Sequence, residues 1–415
     1  MDIIDVLQHL KLDAKNEFLN IQNYWSRFSV DEKFGGFYGR INNHNLPIEN
    51  SDKGIILNSR ILWTFSAAFK HYSTKESAYL AQRAYKYLID YFIDREYGGV
   101  FWTVDKNGNA LNSTKYVYAQ AFAVYGLSEY YSAFDVKNAE KYATQLYDLI
   151  ENYCTDDMYG GYYEAYSRDW KLKDDVRMSS KDLNVPKSMN THLHLIEAYS
   201  NLYRYSPNRY LKKALVTLLD IFYLNIFNSN KNSLVSFFDN NWSVKSGLIS
   251  PGHDIEASWL CYEAANLLED NRLISIYSNL TSKISDNVIK IADSDGGIVN
   301  ELSGSSILDS NKDWWPQAEA IIGHLNTFQI SGEIKYLNAA LESWKFIKKY
   351  IIDKKNGEWF EKVNREGKPY SSMDKIRQWK APYHNGRAML EISSRVDKLV
   401  ENITKDLSIE KIDNQ

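Results

Sequence analysis

Cysteine is nearly missing. Two occur in 415 residues, Cys154 and Cys261, so no disulfide framework and no cysteine-based zinc site can be read, and a reducing cytoplasm is the expected home. Proline is scarce at 7 and glycine stops at 20. That is thin for an all-β protein full of turns and natural for a helical one. A basic excess is missing too: Lys and Arg total 49 against 53 acidic residues, for a net charge of -4. This excludes the basic footprint of a nucleic-acid binder. No apolar run approaches the ~20 residues of a membrane-spanning helix. The opening Met1-Asp2-Ile3-Ile4-Asp5 lacks the basic flank of a secretion signal. Neither nucleic acid nor membrane is therefore expected as a partner.

Apolar and aromatic material is present instead. Hydrophobic residues make up 44% and charged ones 25% of the chain, enough for a sizeable core and too apolar for a disordered chain. Aromatics reach 14%, with 31 Tyr and 11 Trp. Helix packing uses such residues as fillers, and a cleft that stacks sugar rings uses them as well. Composition alone does not separate the two.

One pattern returns along the chain. It opens as Asp31-Glu32-Lys33-Phe34-Gly35-Gly36-Phe37-Tyr38 and recurs as Asp94-Arg95-Glu96-Tyr97-Gly98-Gly99-Val100-Phe101 and Asp157-Met158-Tyr159-Gly160-Gly161-Tyr162-Tyr163. Weaker copies are Asp295-Gly296-Gly297-Ile298-Val299 and Asn356-Gly357-Glu358-Trp359-Phe360, and a degenerate one lies at Ser233-Leu234-Val235-Ser236-Phe237-Phe238. The spacing of roughly 60 residues marks an array of six units. Each unit reads as an amphipathic helix, a glycine turn and a more apolar helix. Tyr79 to Ile89 carries apolar residues at the helical period, and similar outer helices are legible at 138–152, 208–226, 272–291 and 334–351. The apolar helices fall at 57–72, 116–131, 190–204, 253–268, 315–329 and 384–394, and helices apolar nearly all round are buried. The pattern predicts an all-α fold, an (α/α)6 barrel or toroid with short hairpin-like turns at one rim. Residues 1–395 form one catalytic domain in this reading, and 396–415 a polar C-terminal tail.

Unusual residues cluster where the inner helices begin. Arg60 opens the first, and Tyr118, Gln120 and Phe122 lie in the second. Asn190-Thr191-His192-Leu193-His194 opens the third, Gly252-His253-Asp254-Ile255-Glu256 the fourth, Trp314-Trp315-Pro316-Gln317-Ala318-Glu319 the fifth, and Trp379 to Arg387 the sixth. In a ring of parallel helices these starts converge on one mouth, and convergent polar groups in an aromatic concavity mark a binding site. His253 and Glu256, three apart, share a helix face, so the carboxylate is placed to fix the imidazole's tautomer. His384 and Arg387 have the same spacing. His192 and His194 are two apart, so only one can face the cavity, and His192 is read as structural, as is His324. A helix N-terminus favours the neutral imidazole that a general base requires. Other readings stay open on the residues alone. A metal could use His192, His194, His253, Glu256 and His384, though no HExxH-type pair or cysteine ligand is present. A glycoside hydrolase could use Glu256, Glu319 and Asp182. A sugar-binding module would need the aromatics without the histidines.

Taken together, Gly54-Ile55-Ile56-Leu57-Asn58-Ser59-Arg60, Met189-Asn190-Thr191-His192-Leu193-His194, Gly252-His253-Asp254-Ile255-Glu256-Ala257-Ser258-Trp259, Trp314-Trp315-Pro316-Gln317-Ala318-Glu319 and Trp379-Lys380-Ala381-Pro382-Tyr383-His384-Asn385 are specific. The chain resembles the N-acylglucosamine 2-epimerase superfamily, and within it the cellobiose 2-epimerase branch, from about Asn23 to Ser394. The resemblance implies an (α/α)6 barrel and an isomerase without cofactor or metal that inverts C2 of the reducing-end glucose of a β-1,4-linked disaccharide. It implies His253 and His384 as paired acid and base, His194 as a third histidine handling protons on sugar oxygens, and Arg60 and Arg387 as contacts to the reacting sugar. Glu256 and Glu319 would be supporting carboxylates, Asp182 and Asn190 further polar contacts, and Trp315, Trp379, Trp259, Tyr118 and Phe122 pocket walls. Pro251 and His324 stand where the family pattern leads one to expect an aromatic near the cleft wall, which bears on substrate preference. A mannose or N-acylglucosamine 2-epimerase, or an aldose–ketose isomerase, would share the architecture. The expected partner is a small carbohydrate, and the expected state a cytoplasmic monomer or weak homodimer.

Overall fold

The computed structural model describes residues 2–180 and 182–413. Twelve α-helices are present among the described residues: α1 (Ile3–Phe28), α2 (Ile55–Tyr72), α3 (Lys75–Tyr87), α4 (Val117–Phe134), α5 (Lys137–Tyr153), α6 (Met189–Tyr205), α7 (Arg209–Ile221), α8 (Pro251–Leu267), α9 (Asn271–Ile291), α10 (Trp314–Ser331), α11 (Ile334–Phe346) and α12 (Tyr383–Asp413). The even-numbered helices pack side by side in the order α2, α4, α6, α8, α10, α12 and back to α2, a closed inner ring. Each odd-numbered helix lies outside the inner helix before it, and α1 closes the circle by packing on α12. This is the expected (α/α)6 toroid. Sequence periodicity decides which helix goes where. Every residue from Val117 to Tyr130 of α4 is buried, whereas α5 buries one stripe, Ala139, Ala143, Leu146, Tyr147 and Ile150. A helix apolar all round has no face to give to water, and one with a single stripe has one to spare.

Hairpins between the helices stitch the ring together at one rim. Lys53–Gly54 pairs antiparallel with Thr103–Val104, Lys115–Tyr116 with Ala165–Tyr166, Lys187–Ser188 with Phe237–Phe238, and Lys312–Asp313 with Lys362–Val363. The strand just before one inner helix is thus bonded to the hairpin of the next unit, and a bridge from Ile41 to Ile376 joins the first unit to the last. Helix starts depend on this. The amides of Ile55, Val117, Met189 and Trp314, each the first residue of its helix, donate to Trp102, Glu164, Ser236 and Glu361 carbonyls. Those amides would otherwise be orphaned.

A buried lysine locks each glycine turn. Lys53 Nζ donates to Asp31 and the Gly35 carbonyl, Lys115 to Asp94 and Gly98, Lys187 to Asp156 and Gly160, and Lys375 to Asp353 and Gly357. Lys312 does the same toward Asp293 and Asp295. The degenerate fourth copy pairs Phe227–Asn228 with Ser233–Leu234 and turns through Asn232 at φ 49°. At the end of the chain the last inner helix does not stop near 394. It continues to Asp413, with Val396 and Leu399 buried, so the polar segment expected from 396 extends the wall that packs on α1. Residues 414 and 415 of that segment lie outside the described residues.

Candidate active site

Arg60, Phe122, His194, Glu256 and Glu319 are each the sixth residue of their inner helix. One repeat position, about a turn and a half below the hairpin rim, therefore faces the centre of the ring five times and carries four kinds of side chain, Glu twice. The fourth residue turns the other way and serves the hairpin. Gln120 accepts from the Val100 amide at 2.8 Å, Gln317 from Ile298 at 2.8 Å, Asp254 from Leu234 at 2.8 Å, and His192 from Tyr162 at 3.0 Å through Nε2. His192 is thus structural, as its register requires, and His194 is the histidine of that pair that faces inward.

Three imidazoles share one arrangement. His253 Nδ1 lies 2.8 Å from Ser250 Oγ, His194 Nδ1 lies 2.8 Å from Glu197 Oε2, and His384 Nδ1 lies 2.7 Å from Glu319 Oε1. In each case Nδ1 is committed to the protein and Nε2 is the nitrogen left for a ligand. The indole of Trp315 lies against two of them, with ring centroids 4.6 Å from His253 and 5.6 Å from His384. His194 packs on Tyr118 and Phe122 at 5.0 and 4.8 Å. Burial holds all three neutral. It pushes His253 down to about 3 and pushes His384 well below the ordinary histidine value, helped there by Arg60 and Arg387. His194 is also lowered by burial, with Glu197 pulling the other way. A neutral imidazole that carries its proton on Nδ1 offers Nε2 as a proton acceptor.

The expected pairing of His253 with Glu256 does not form. Their shared helix face is real, but Ser250 reaches His253 first, and Glu256 turns to Arg387 at 2.7 Å. The carboxylate three residues on does pair with its histidine in α6 instead, where Glu197 holds His194. Glu197 is the site residue missed from the sequence, although the same spacing rule pointed to it.

Below the histidines runs a layer of buried charge. Arg387 donates to Glu256 at 2.7 Å, to Glu319 at 2.6 Å, and to Glu197 and Tyr383 as well. Trp259 Nε1 donates to Glu319 at 3.0 Å, and its ring carries the guanidinium of Arg387 at 4.8 Å. Burial and the charge of Glu319 push the Glu256 carboxyl up, and burial with Glu197 does the same to Glu319. Glu256, Glu319 and His384 converge closely enough to suit a metal ion. Arg387 already donates to both carboxylates, so a cation of the chain itself stands where a metal ion would.

Above the layer, a cavity of about 250 Å³ reaches His253, Trp315, Asn190, Asp182 and Ser250. The Asn190 Oδ1 has no hydrogen-bond partner, which leaves it available to a hydroxyl. Asp182 is half-buried and holds its own loop through the Ser179 amide at 2.7 Å. Arg60 stands across the ring, donating to the Trp379 carbonyl at 3.0 Å and to Tyr118 Oη at 2.9 Å. The Trp379 ring lies against Trp102 and Tyr118. Trp259 and Arg387, both expected at the sugar, border a second cavity of about 380 Å³ at the opposite mouth, with Lys70, Arg204 and Glu391. His324 turns to the outer layer: its Nδ1 meets Ser285 Oγ of outer helix α9 at 2.7 Å. Pro251 is the first residue of α8, where its missing amide is no loss.

The sequence profile of the N-acylglucosamine 2-epimerase (GlcNAc 2-epimerase) family matches residues 36–388. A cellobiose 2-epimerase of Bacteroides fragilis is 41% identical over 385 residues, covering 92% of this chain and 98% of that protein. A cellobiose 2-epimerase of Dictyoglomus turgidum is 38% identical over 374 residues, 90% of this chain and 95% of its own length. Among solved structures, cellobiose 2-epimerase from Spirochaeta thermophila superposes with a TM-score of 0.89 at 34% identity, over 95% of this chain and 98% of that one.

Proposed function

This chain belongs to the N-acylglucosamine 2-epimerase family, and on that premise we propose that it inverts C2 of the reducing-end glucose of β-1,4-linked disaccharides, converting cellobiose to glucosyl-mannose and lactose to epilactose. It is an isomerase. The observation that carries the chemistry is the set of three buried imidazoles on separate inner helices, each tied at Nδ1, with the Trp315 ring against His253 and His384 and the Tyr118 and Phe122 rings against His194.

Epimerisation needs a proton removed from a carbon beside a carbonyl. The ring must open first to expose the C1 aldehyde, and His194 is suited to move the proton between the ring oxygen and the C1 hydroxyl. A base then takes the C2 proton and leaves a planar cis-enediolate. Arg60, already oriented by the Trp379 carbonyl and Tyr118, supplies the positive charge beside the developing oxyanion. Return of the proton to the opposite face requires a second acid. His253 and His384 stand on separate helices against the same indole, and they exchange base and acid roles with direction. Glu319 and Ser250 orient the two rings, and Glu256 stands behind Glu319. Asn190 and Asp182, in the cavity beyond His253, contact the sugar hydroxyls, and Trp315 and Trp379 stack on its faces. The reaction as written uses no cofactor. In this reading the chain works in the cytoplasm as a monomer or weak homodimer, and its two buried cysteines are unpaired, as suits a reducing compartment.

The test is incubation in heavy water with cellobiose, lactose, glucose, mannose and N-acetylglucosamine side by side. The expected result is mannose-ended disaccharide carrying deuterium at C2. Release of monosaccharides, or turnover confined to the single sugars, overturns the disaccharide epimerase reading.

A further inference from the structure

Glu197 lies where the supports of the catalytic histidines meet. One oxygen, Oε2, faces His194 Nδ1 at 2.8 Å. The other, Oε1, accepts from Tyr383 Oη and from Arg387. The same guanidinium holds Glu256 at 2.7 Å and Glu319 at 2.6 Å, and Glu319 holds His384 Nδ1 at 2.7 Å. A continuous chain of contacts therefore runs from His194 through Glu197 and Arg387 to His384. We propose that Glu197 is a positioning residue for the 2-epimerase reaction, fixing His194 with its Nδ1–H donated to the carboxylate and its Nε2 as acceptor, and holding Arg387 where it keeps the carboxylate behind His384 in place. The proposal rests on the function argued above.

Charge balance selects this carboxylate among the three. One guanidinium faces Glu197, Glu256 and Glu319, so three negative charges cannot all be compensated. Burial acts to raise Glu197, but Arg387 and then the His194 and Tyr383 contacts outweigh it and hold the carboxyl at about 2. Glu256 and Glu319 are pushed the other way. An ionised carboxylate can only accept. The proton in the His194–Glu197 contact must then sit on Nδ1, which leaves the lone pair on Nε2. Such an assignment is what a histidine needs if it is to take a proton from a sugar hydroxyl during ring opening.

The test compares the wild-type chain with Glu197→Gln and Glu197→Asp, with folding checked by circular dichroism. In Glu197→Gln, kcat on cellobiose is expected to fall about 100-fold or more with KM within about threefold, since the group touches no sugar. Glu197→Asp is expected to recover part of the loss. The negative charge favours protonated His194, so its removal should move the acid limb of the kcat profile to lower pH in Glu197→Gln. A lost kcat with an unmoved limb would mean a structural role only and overturns the proposal, as does a folded Glu197→Gln with kcat within about threefold of wild type. If Glu197→Gln does not fold, ¹⁵N-histidine spectra of the wild-type chain decide: an Nδ1–H tautomer for His194 supports the proposal and an Nε2–H tautomer overturns it. A wild-type chain that turns over no disaccharide sinks the function, and the tautomer measurement stands apart from that outcome.

Discussion

His192→Gln should leave the enzyme active and exchange a small loss of stability at pH 8 for a gain at pH 5. Position four of the inner helix is Gln in two other units. Gln317 accepts from the Ile298 amide at 2.8 Å and donates to its own helix at the Asp313 carbonyl, 3.1 Å away. His192 makes the same pair of bonds, accepting from Tyr162 at 3.0 Å and lying 2.7 Å from the Ser188 carbonyl. Glutamine can therefore replace both. The loss is the ring contact with Trp242 and Tyr162, with centroids at 5.1 and 5.9 Å, worth about 1 kcal/mol. The gain comes from titration. Burial pushes His192 down to about 4 in the folded chain from an ordinary 6.5. Between those values the unfolded chain binds the proton and the folded chain does not, so stability is full above 6.5 and drains as pH falls toward 4. At pH 5 that drain is about 2 kcal/mol for this one ring, and glutamine has nothing to titrate. The variant should be about 1 kcal/mol less stable than wild type at pH 8 and about 1 kcal/mol more stable at pH 5. Urea titration at the two pH values measures the difference, and activity is assayed at neutral pH. A stability gap equal at both pH values, or activity reduced more than about tenfold, would refute the assignment of His192 to the hairpin.

Three further outcomes are expected. His253→Ala and His384→Ala each abolish turnover while circular dichroism stays native, and either one keeping a near-normal rate removes that residue from the acid–base pair. Lys115→Met strands Asp94, whose carboxylate is fully buried beside it; removing one partner of a buried pair costs about 3–5 kcal/mol, and the remaining Arg168 contact at 2.8 Å puts the loss at the lower end. Denaturant titration of Lys115→Met and of Lys115→Met with Asp94→Asn checks it, the double variant regaining part of the loss. Treatment with a chelator leaves the rate unchanged, because Arg387 serves Glu256 and Glu319 as their cation; a lost rate restored by a divalent ion would show that a metal displaces it.

The toroid was legible because two kinds of hydrophobic pattern alternate with a glycine turn at a constant period, and the turn has a steric reason. Gly161 sits at φ 84°, and a Cβ there would lie 2.7 Å from His192 Nε2. The site was legible in outline because all the helix starts share one mouth. What failed to read was partner choice. Spacing of three residues placed Glu256 on the face of His253, but a same-helix carboxylate competes with groups from other helices, and Arg387 won it. Trp259 was a wall residue by the family resemblance; it lies one turn beyond Glu256 along the helix and borders the cavity at the other mouth. The buried lysines escaped because lysine is rarely buried unless paired, and the pairing runs through turns 17 to 31 residues upstream in sequence. Leu399 and Val396 were too few against their polar neighbours to show that α12 runs on.

The choice of mouth follows from helix polarity. Both ends of the ring are hollow, and the larger of these two cavities is not the one that reaches His253. At that end the inner helices finish, their dipoles present negative charge, and Lys70 with Glu129 and Arg395 with Glu263 pair among themselves. At the hairpin end the helices begin, and positive dipole ends surround the place where the proposed enediolate would form. Positive potential there does two jobs at once, keeping the imidazoles unprotonated and lowering the energy of the anion they create. Buried carboxylates one turn below would work against that anion if all three were ionised. Arg387 compensates one, and the raised Glu256 and Glu319 carboxyls take up a proton more readily than Glu197. The floor of the site therefore carries less negative charge than three freely ionised carboxylates would, and the rim adds the positive ends of the helix dipoles.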